Sequence, residues 1–213
     1  MKRTSMLPLW LKLAYTLLVL VWFPIWWVEH GLANFLWFSN IATLVLLFGL
    51  WAESRLAVGM MAVAVTAPEI FWNLDFLLQL LTPMDGFGLA NYMFADATPW
   101  RVRILSGIVH VALPILLLYG VWRLGYDRRA LRFQILLAFV VLPLVHFTTD
   151  PADNINWTHG PGEEPQETLH PLLYLALILA FMPAVVYAPT HWLLNRWAGG
   201  STNPPGGDPA RGG

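Results

Sequence analysis

The sequence contains no cysteine, and only 12% of its 213 residues are charged. The first absence excludes disulfides, thiolate metal sites and a cysteine nucleophile, but it leaves the redox compartment open. The second is more restrictive, because a soluble domain carries about twice that share of charge to cover a water-facing surface. No repeat of 20 to 50 residues is visible, which argues against a solenoid or propeller. Nor is there a basic excess: the net charge of -1 gives no footing for nucleic acid. What remains is apolar, with 57% hydrophobic residues and 12 tryptophans.

A helix rises about 1.5 Å per residue, so about 20 apolar residues cross a hydrocarbon core of about 30 Å. Six segments approach that length: Leu7 to Val28, Leu32 to Trp51, Leu56 to Leu81, Val102 to Trp122, Ala130 to Phe147 and Leu172 to Leu194. The start has the basic end and apolar run of a signal sequence. The apolar stretch continues to Val28 without a small-residue cleavage site, so a retained first helix is expected. Pro24, Pro68, Pro114, Pro143 and Pro183 are expected kinks, since neighbouring helices in a bundle can satisfy the freed carbonyls. Trp10, Trp26, Trp27, Trp51, Trp100, Trp122 and Trp192 fall near segment ends, where an indole buries its ring and hydrates its N–H.

The expected fold is therefore an all-α membrane protein, a six-transmembrane-helix bundle over residues 1–198. An amino terminus on the inner side puts Lys2, Arg3, Lys12, Arg55, Arg123, Arg128, Arg129, Arg132, Arg196 and Arg211 there, with only Arg101 and Arg103 outside. The acids Asp85, Asp96, Asp150, Asp153, Glu163, Glu164 and Glu167 then occupy two long outer loops. Both termini are expected inside, in a multi-pass protein of the cell inner membrane with membrane lipid as its surroundings. Residues 199–213, rich in Gly and Pro, have too little apolar content for a core and read as a disordered cytoplasmic tail.

Polar residues inside the apolar segments require an explanation, because an ionisable group at the bilayer centre costs on the order of 3 kcal/mol. The second segment carries Ser39, Asn40 and Thr43, and the third Glu69, Asn73, Asp75 and Gln79. The fourth carries Ser106 and His110, and the fifth ends with His146. Counting rise from the outer ends puts Ser39, Asp75 and His110 at one depth, about 10 Å below the outer surface. The four polar residues of the third segment share about 160° of arc, a wedge that should face inward. The last outer loop adds Asp150, Asp153, Asn154, Asn156, Trp157 and His159 before Gly160-Pro-Gly162. That loop either folds back as a lid or is an ordinary solvated connection.

A hydroxyl and an imidazole at one depth are the minimum for acyl transfer. His110 would take the proton of Ser39 or Thr43, and Asp75 would orient the imidazole. The plainer reading is that the Ser, Thr and Asn side chains join helices, each contributing about 0.6 kcal/mol. A metal site using His30, His146, His159 and His170 lacks motif spacing, so neither a metal nor a cofactor is expected. The alternative is that Glu69 and Asp75 serve a proton or cation in a binding or transport protein, with Asn40, Asn73, His146, Asn154 and Asn156 completing a lipid or small-molecule pocket.

Short patches resemble two related six-span families. One is the YwaF-like group of integral membrane proteins with its eukaryotic acyltransferase relatives; the other is the androgen-induced-gene family of membrane lipid hydrolases. Phe35-Leu-Trp-Phe-Ser-Asn-Ile-Ala42 is similar to the segment bearing their nucleophile, and His110-Val-Ala-Leu-Pro114 to their histidine followed by Leu-Pro. Asn154-Ile-Asn-Trp157 is similar to the outer loop of the YwaF-like group. The resemblance implies lipid ester hydrolysis or acyl transfer by His110 with Ser39, Thr43 standing one turn deeper. The chain departs from the pattern where Ser39 stands in place of a cysteine in the acyltransferase relatives, and Trp37 in place of a threonine in the hydrolases.

Overall fold

A computed structural model describes residues 5–82, 84, 86–162 and 164–198. The expected tail over 199–213, and Lys2, Arg3, Asp85 and Glu163, lie outside the described residues. Those residues form helices and connecting loops, with no strand among them. The helices are α1 (Leu9–His30), α2 (Phe38–Ala52), α3 (Arg55–Leu81), α4 (Trp100–Leu124), α5 (Ala130–Thr148), α6 (Pro171–Phe181) and α7 (Ala188–Ala198). A π-helical stretch, Met182–Tyr187, joins α6 to α7 in one continuous rod.

Among the described residues five helical stretches are long and apolar enough to cross a membrane: α1, α3, α4, α5 and the rod Pro171–Ala198. The second expected segment, Leu32 to Trp51, differs. It opens as a 3-10 turn, Ala33–Leu36, the chain extends at Trp37, and α2 begins only at Phe38 with 15 residues. Polar bonds cause the break. Asn40 Nδ2 donates to the Asn34 carbonyl at 2.8 Å, while Trp26 Nε1 donates to Asn34 Oδ1 at 2.8 Å, and together they hold the chain out of a continuous helix.

The helix ends follow local chemistry. Ser54 accepts from the Ala57 amide at the start of α3, and proline precedes the first residue of both α1 and α4, where no amide hydrogen is needed. Gly31 and Gly125 close α1 and α4 at φ 74° and 89°, in the left-handed half of the map where a Cβ is penalised. The helices run on through Pro24, Pro68, Pro114 and Pro143. At Pro183 alone among these five the bonding pattern widens to a π turn.

α3 is the central helix, with Val58, Gly59 and every residue from Met61 to Thr66 buried. Its approach to α2 and α4 depends on glycine. A Cβ at Gly49 would stand 2.9 Å from Val58 Cγ2, and one at Gly120 would stand 2.8 Å from Val58 Cγ1. One valine thus wedges between two bare backbones, the small-residue packing that lets helices close up where lipid supplies no hydrophobic drive.

The connections separate the two ends of the bundle. At one end Lys12 of α1 pairs with Glu53 of the α2–α3 turn at 2.9 Å, Arg123 donates to the Met6 carbonyl, and Arg128 donates to Asn195. Glu53 also accepts from Ser5 and from the Met6 and Leu7 amides. Burial alone would raise its carboxyl, but these four donors outweigh it and hold the group down at about 2. At the opposite end Arg101 pairs with Glu29, and the loop before α6 reaches the start of α2.

Candidate functional site

Between α3 and α4, Glu69 accepts a short bond from His110: Oε2 lies 2.6 Å from Nδ1. Glu69 is only 3% exposed. Asn73, one turn along α3, donates to the His110 carbonyl and to the Glu69 carbonyl, both at 2.8 Å, and so locks the two helices in register. Trp72 lies flat against the imidazole, with centroids 4.1 Å apart and planes 18° apart. One turn nearer the start of α4, Ser106 Oγ is 2.6 Å from Tyr92 Oη. Carboxylate, imidazole, indole, phenol and hydroxyl thus form one polar seam through an otherwise apolar pair of helices.

The spacing of this seam explains what the sequence could and could not give. Glu69 and Asn73 are four apart on α3, as are Ser106 and His110 on α4, so each pair lines one helix face. The expected orienting carboxylate was Asp75, and here the structure corrects the expectation. Asp75 lies six residues from Glu69, about 9 Å further along the axis. Its oxygens accept from the Phe87 and Ala90 amides and from Gln79, which fastens the loop after α3. Gly86 permits that grip, since a Cβ there would fall 2.0 Å from Asp75 Oδ1. Counting depth from the end of a 27-residue helix, longer than a bilayer requires, put Asp75 at the wrong level.

Ser39 makes no hydrogen bond to His110 among the described residues; its carbonyl accepts from Thr43 Oγ1 at 2.9 Å. Thr43 is fully buried, and its carbonyl receives Tyr15 Oη. Asn40 is bonded to Asn34. The side chains of Asn40 and Thr43 are therefore engaged within the α1–α2 region, Asn40 shaping the 3-10 turn, while Ser39 takes part through its carbonyl.

His146, Asn154 and Asn156 belong to a second cluster, around the loop before α6. Asn156 accepts from the Phe38 amide and donates to the Leu36 carbonyl, both at 2.8 Å, so the loop clasps the start of α2. Asn154 gathers the Gly160 and Gly162 carbonyls and the His159 amide. The backbone is strained there: Asn154, Asn156 and Trp157 have φ of 37°, 53° and 56°. Asparagine tolerates this region, but a tryptophan in it is held against its preference by the surrounding bonds. His146 Nδ1 donates to the Thr158 carbonyl at 3.1 Å, and its ring stacks on His159 at 4.4 Å. Burial, and then the neighbouring His146, hold the His159 imidazole below its usual value, with Asp150 offsetting in part.

Trp72, Tyr92 and Tyr174 complete these clusters without having stood out in the sequence, where a further aromatic in an apolar run gives no signal. No three His, Asp or Glu among the described residues are grouped to hold a metal ion. No protein-family model matches the chain, and neither a curated protein nor a solved structure matches it significantly.

Proposed function

We propose that this is a six-span protein of the inner membrane, with both termini cytoplasmic, that binds a small ligand or ion at the α3–α4 seam and exchanges a proton with it through Glu69 and His110. The short, buried Glu69–His110 bond carries the reading. Within lipid a carboxylate beside an imidazole is costly unless it has a task, and a pair sharing one proton can pass that proton on without leaving an isolated charge. Helix length and the distribution of Lys and Arg support the topology. The 3-10 turn rises about 2.0 Å per residue and α2 about 1.5 Å, so Ala33 to Ala52 together span about 30 Å, a bilayer core. Among the described residues Lys12, Arg55, Arg123, Arg128, Arg129, Arg132 and Arg196 lie toward one end of the bundle and only Arg101 and Arg103 toward the other, the bias that retains an end in the cytoplasm.

The test is proton exchange by the purified protein in liposomes. An imposed pH gradient is expected to drive proton or solute movement that Glu69→Gln and His110→Gln each reduce at least tenfold, while Ser39→Ala leaves it unchanged. Equal fluxes in all four proteins would exclude a role for the pair.

One observation favours acyl transfer as a second reading. With Nδ1 engaged by Glu69, no described residue bonds His110 Nε2, the arrangement in which a neutral imidazole acts as a general base. Ser39 would be the nucleophile and a lipid ester the substrate, as the resemblance to membrane lipid hydrolases and acyltransferases implies. Fluorophosphonate labelling abolished by both Ser39→Ala and His110→Ala would decide for this reading, and unchanged labelling would dismiss it.

A further inference from the structure

Next to the second cluster is a cleft of roughly 190 Å³, open on one side between α5, α6 and the loop joining them. Its walls include His146, Pro151, Thr158, His159, Pro171 and Tyr174. The polar chemistry it offers is specific. A carbonyl can only accept, so the bond from His146 Nδ1 to the Thr158 carbonyl fixes the proton of that ring on Nδ1 and leaves Nε2 as a lone pair. His146 is 9% exposed, and no described residue bonds its Nε2. His159 Nε2 is buried with no hydrogen-bond partner. Two imidazole nitrogens without partners therefore belong to the cleft: His146 Nε2 accepts, and His159 Nε2 accepts when its ring proton sits on Nδ1, which no described residue bonds; a buried polar group left unpaired costs on the order of 1–3 kcal/mol.

Three ligand classes compete for such a pair. A metal ion must lie in the plane of each imidazole it binds, but these rings are stacked, 15° from parallel with centroids 4.4 Å apart, so one ion cannot lie in both planes. An anion would need a fixed positive charge, yet the sequence has no Lys or Arg from Phe133 to Asn195. The ionisable groups lining the cleft are His146 from α5, His159 from the loop and Tyr174 from α6, and the same loop carries Asp150, Asp153, Glu164 and Glu167 with His170 at its end. Asp150 is the acid whose field reaches His159, while His170 Nδ1 accepts from the Leu172 amide. The adjoining loop is thus acidic, the neutral imidazoles can offer acceptor nitrogens, and the ring of Tyr174 lines the same cleft.

We propose that this cleft is a receptor site for a primary ammonium group, which donates to Nε2 of His146 and of His159 and rests against the ring of Tyr174. The site is separate from the Glu69–His110 seam and independent of its role. Because the cleft lies where α5 ends and α6 begins, the ammonium reaches it either from an aminophospholipid headgroup at the bilayer surface or from a free amine in solution. Recognition is the same in both cases: acceptor imidazoles, a π face and a negative field.

The consequence for pH is direct. Protonating either imidazole removes an acceptor and adds a like charge, so binding must weaken as pH falls. The burial that lowers the His159 value keeps the acceptor form present near neutrality.

The experiment measures binding to the full chain in detergent, by native mass spectrometry and thermal shift, with ethanolamine, dioleoylphosphatidylethanolamine, dioleoylphosphatidylglycerol and zinc chloride as separate probes. Both amines binding supports the site for any primary ammonium, whereas the ethanolamine lipid alone assigns it to a headgroup. His159→Leu is expected to weaken amine binding at least tenfold, and His159→Gln, which keeps an acceptor, to retain most of it. Should His159→Leu fail to fold, the wild-type chain decides: affinity is expected to fall at least tenfold from about pH 7.5 to about pH 5.5, across the histidine range. Zinc alone, the glycerol lipid in preference to the ethanolamine lipid, no probe at all, or amine binding indifferent to pH and to His159→Leu would each overturn the proposal.

Discussion

Replacing Glu69 by Gln keeps the length and an acceptor oxygen of the side chain but removes its charge. The bond to His110 Nδ1 is a short one, 2.6 Å, between two ionisable groups. A bond to a charged group contributes about 1.5–3 kcal/mol and a neutral one about 0.5–1.5, so the exchange should cost on the order of 1 kcal/mol. In a membrane bundle the unfolded reference finds other partners, and measured interhelical bonds reach about 1.7 kcal/mol at most, which sets the upper end. The informative quantity is the coupling between the partners, because each single variant also disturbs its own surroundings: Asn73 beneath the His110 carbonyl, Trp72 across its ring. A double-mutant cycle with Glu69→Gln, His110→Gln and the pair, read by reversible unfolding in mixed micelles, should give a coupling energy of about 1 kcal/mol, roughly fivefold in the equilibrium constant. The same cycle built on Asp75→Asn and His110→Gln should be additive within about 0.3 kcal/mol, since Asp75 holds the 86–90 loop instead. Additive losses for Glu69 with His110, or coupling of Asp75 with His110, would refute the assignment of Glu69 as the carboxylate beside the imidazole.

Glu53 titrates at about 2 in the folded chain, below the ordinary value of 4.5, so its stabilisation is complete above 4.5 and disappears as the pH drops toward 2. Glu53→Gln should therefore unfold at a lower temperature than wild type at pH 6, and the gap should narrow steadily on acidification to about pH 2, as followed by circular dichroism. Gly120→Leu should cost about 1–3 kcal/mol by driving a side chain into Val58, with partial recovery when Val58→Ala is added; a neutral Gly120→Leu would disprove the wedge. Asn156→Ala removes both bonds that tie the loop to the start of α2. Amide exchange should accelerate in 150–160 and at Phe38 together, and acceleration in the loop alone would show that the clasp is not shared.

The sequence by itself determined the class of the molecule and most of its helix boundaries. Apolar length is a one-dimensional property, and a chain with so little charge has few ways to shield its backbone other than helices. Thus α3 starts one residue before the expected Leu56 and ends at the expected Leu81, and α5 starts at the expected Ala130. His110 and Glu69 stood out because an ionisable side chain is anomalous in such a run. Their partnership did not, for it depends on how α4 slides along α3, and that register is set by Asn73 and by the Val58 wedge between Gly49 and Gly120.

Only the tertiary structure decided the remaining assignments. It moved Asp75 from the imidazole to the 86–90 loop, turned Asn40 of α2 to the Asn34 turn, and stacked His146 on His159 across 13 residues of chain. Each case has the same physical cause. A polar side chain in an apolar setting must find a partner, and the need is visible in the sequence. Which of several partners meets it is fixed by distances of a few ångströms between helices remote along the chain.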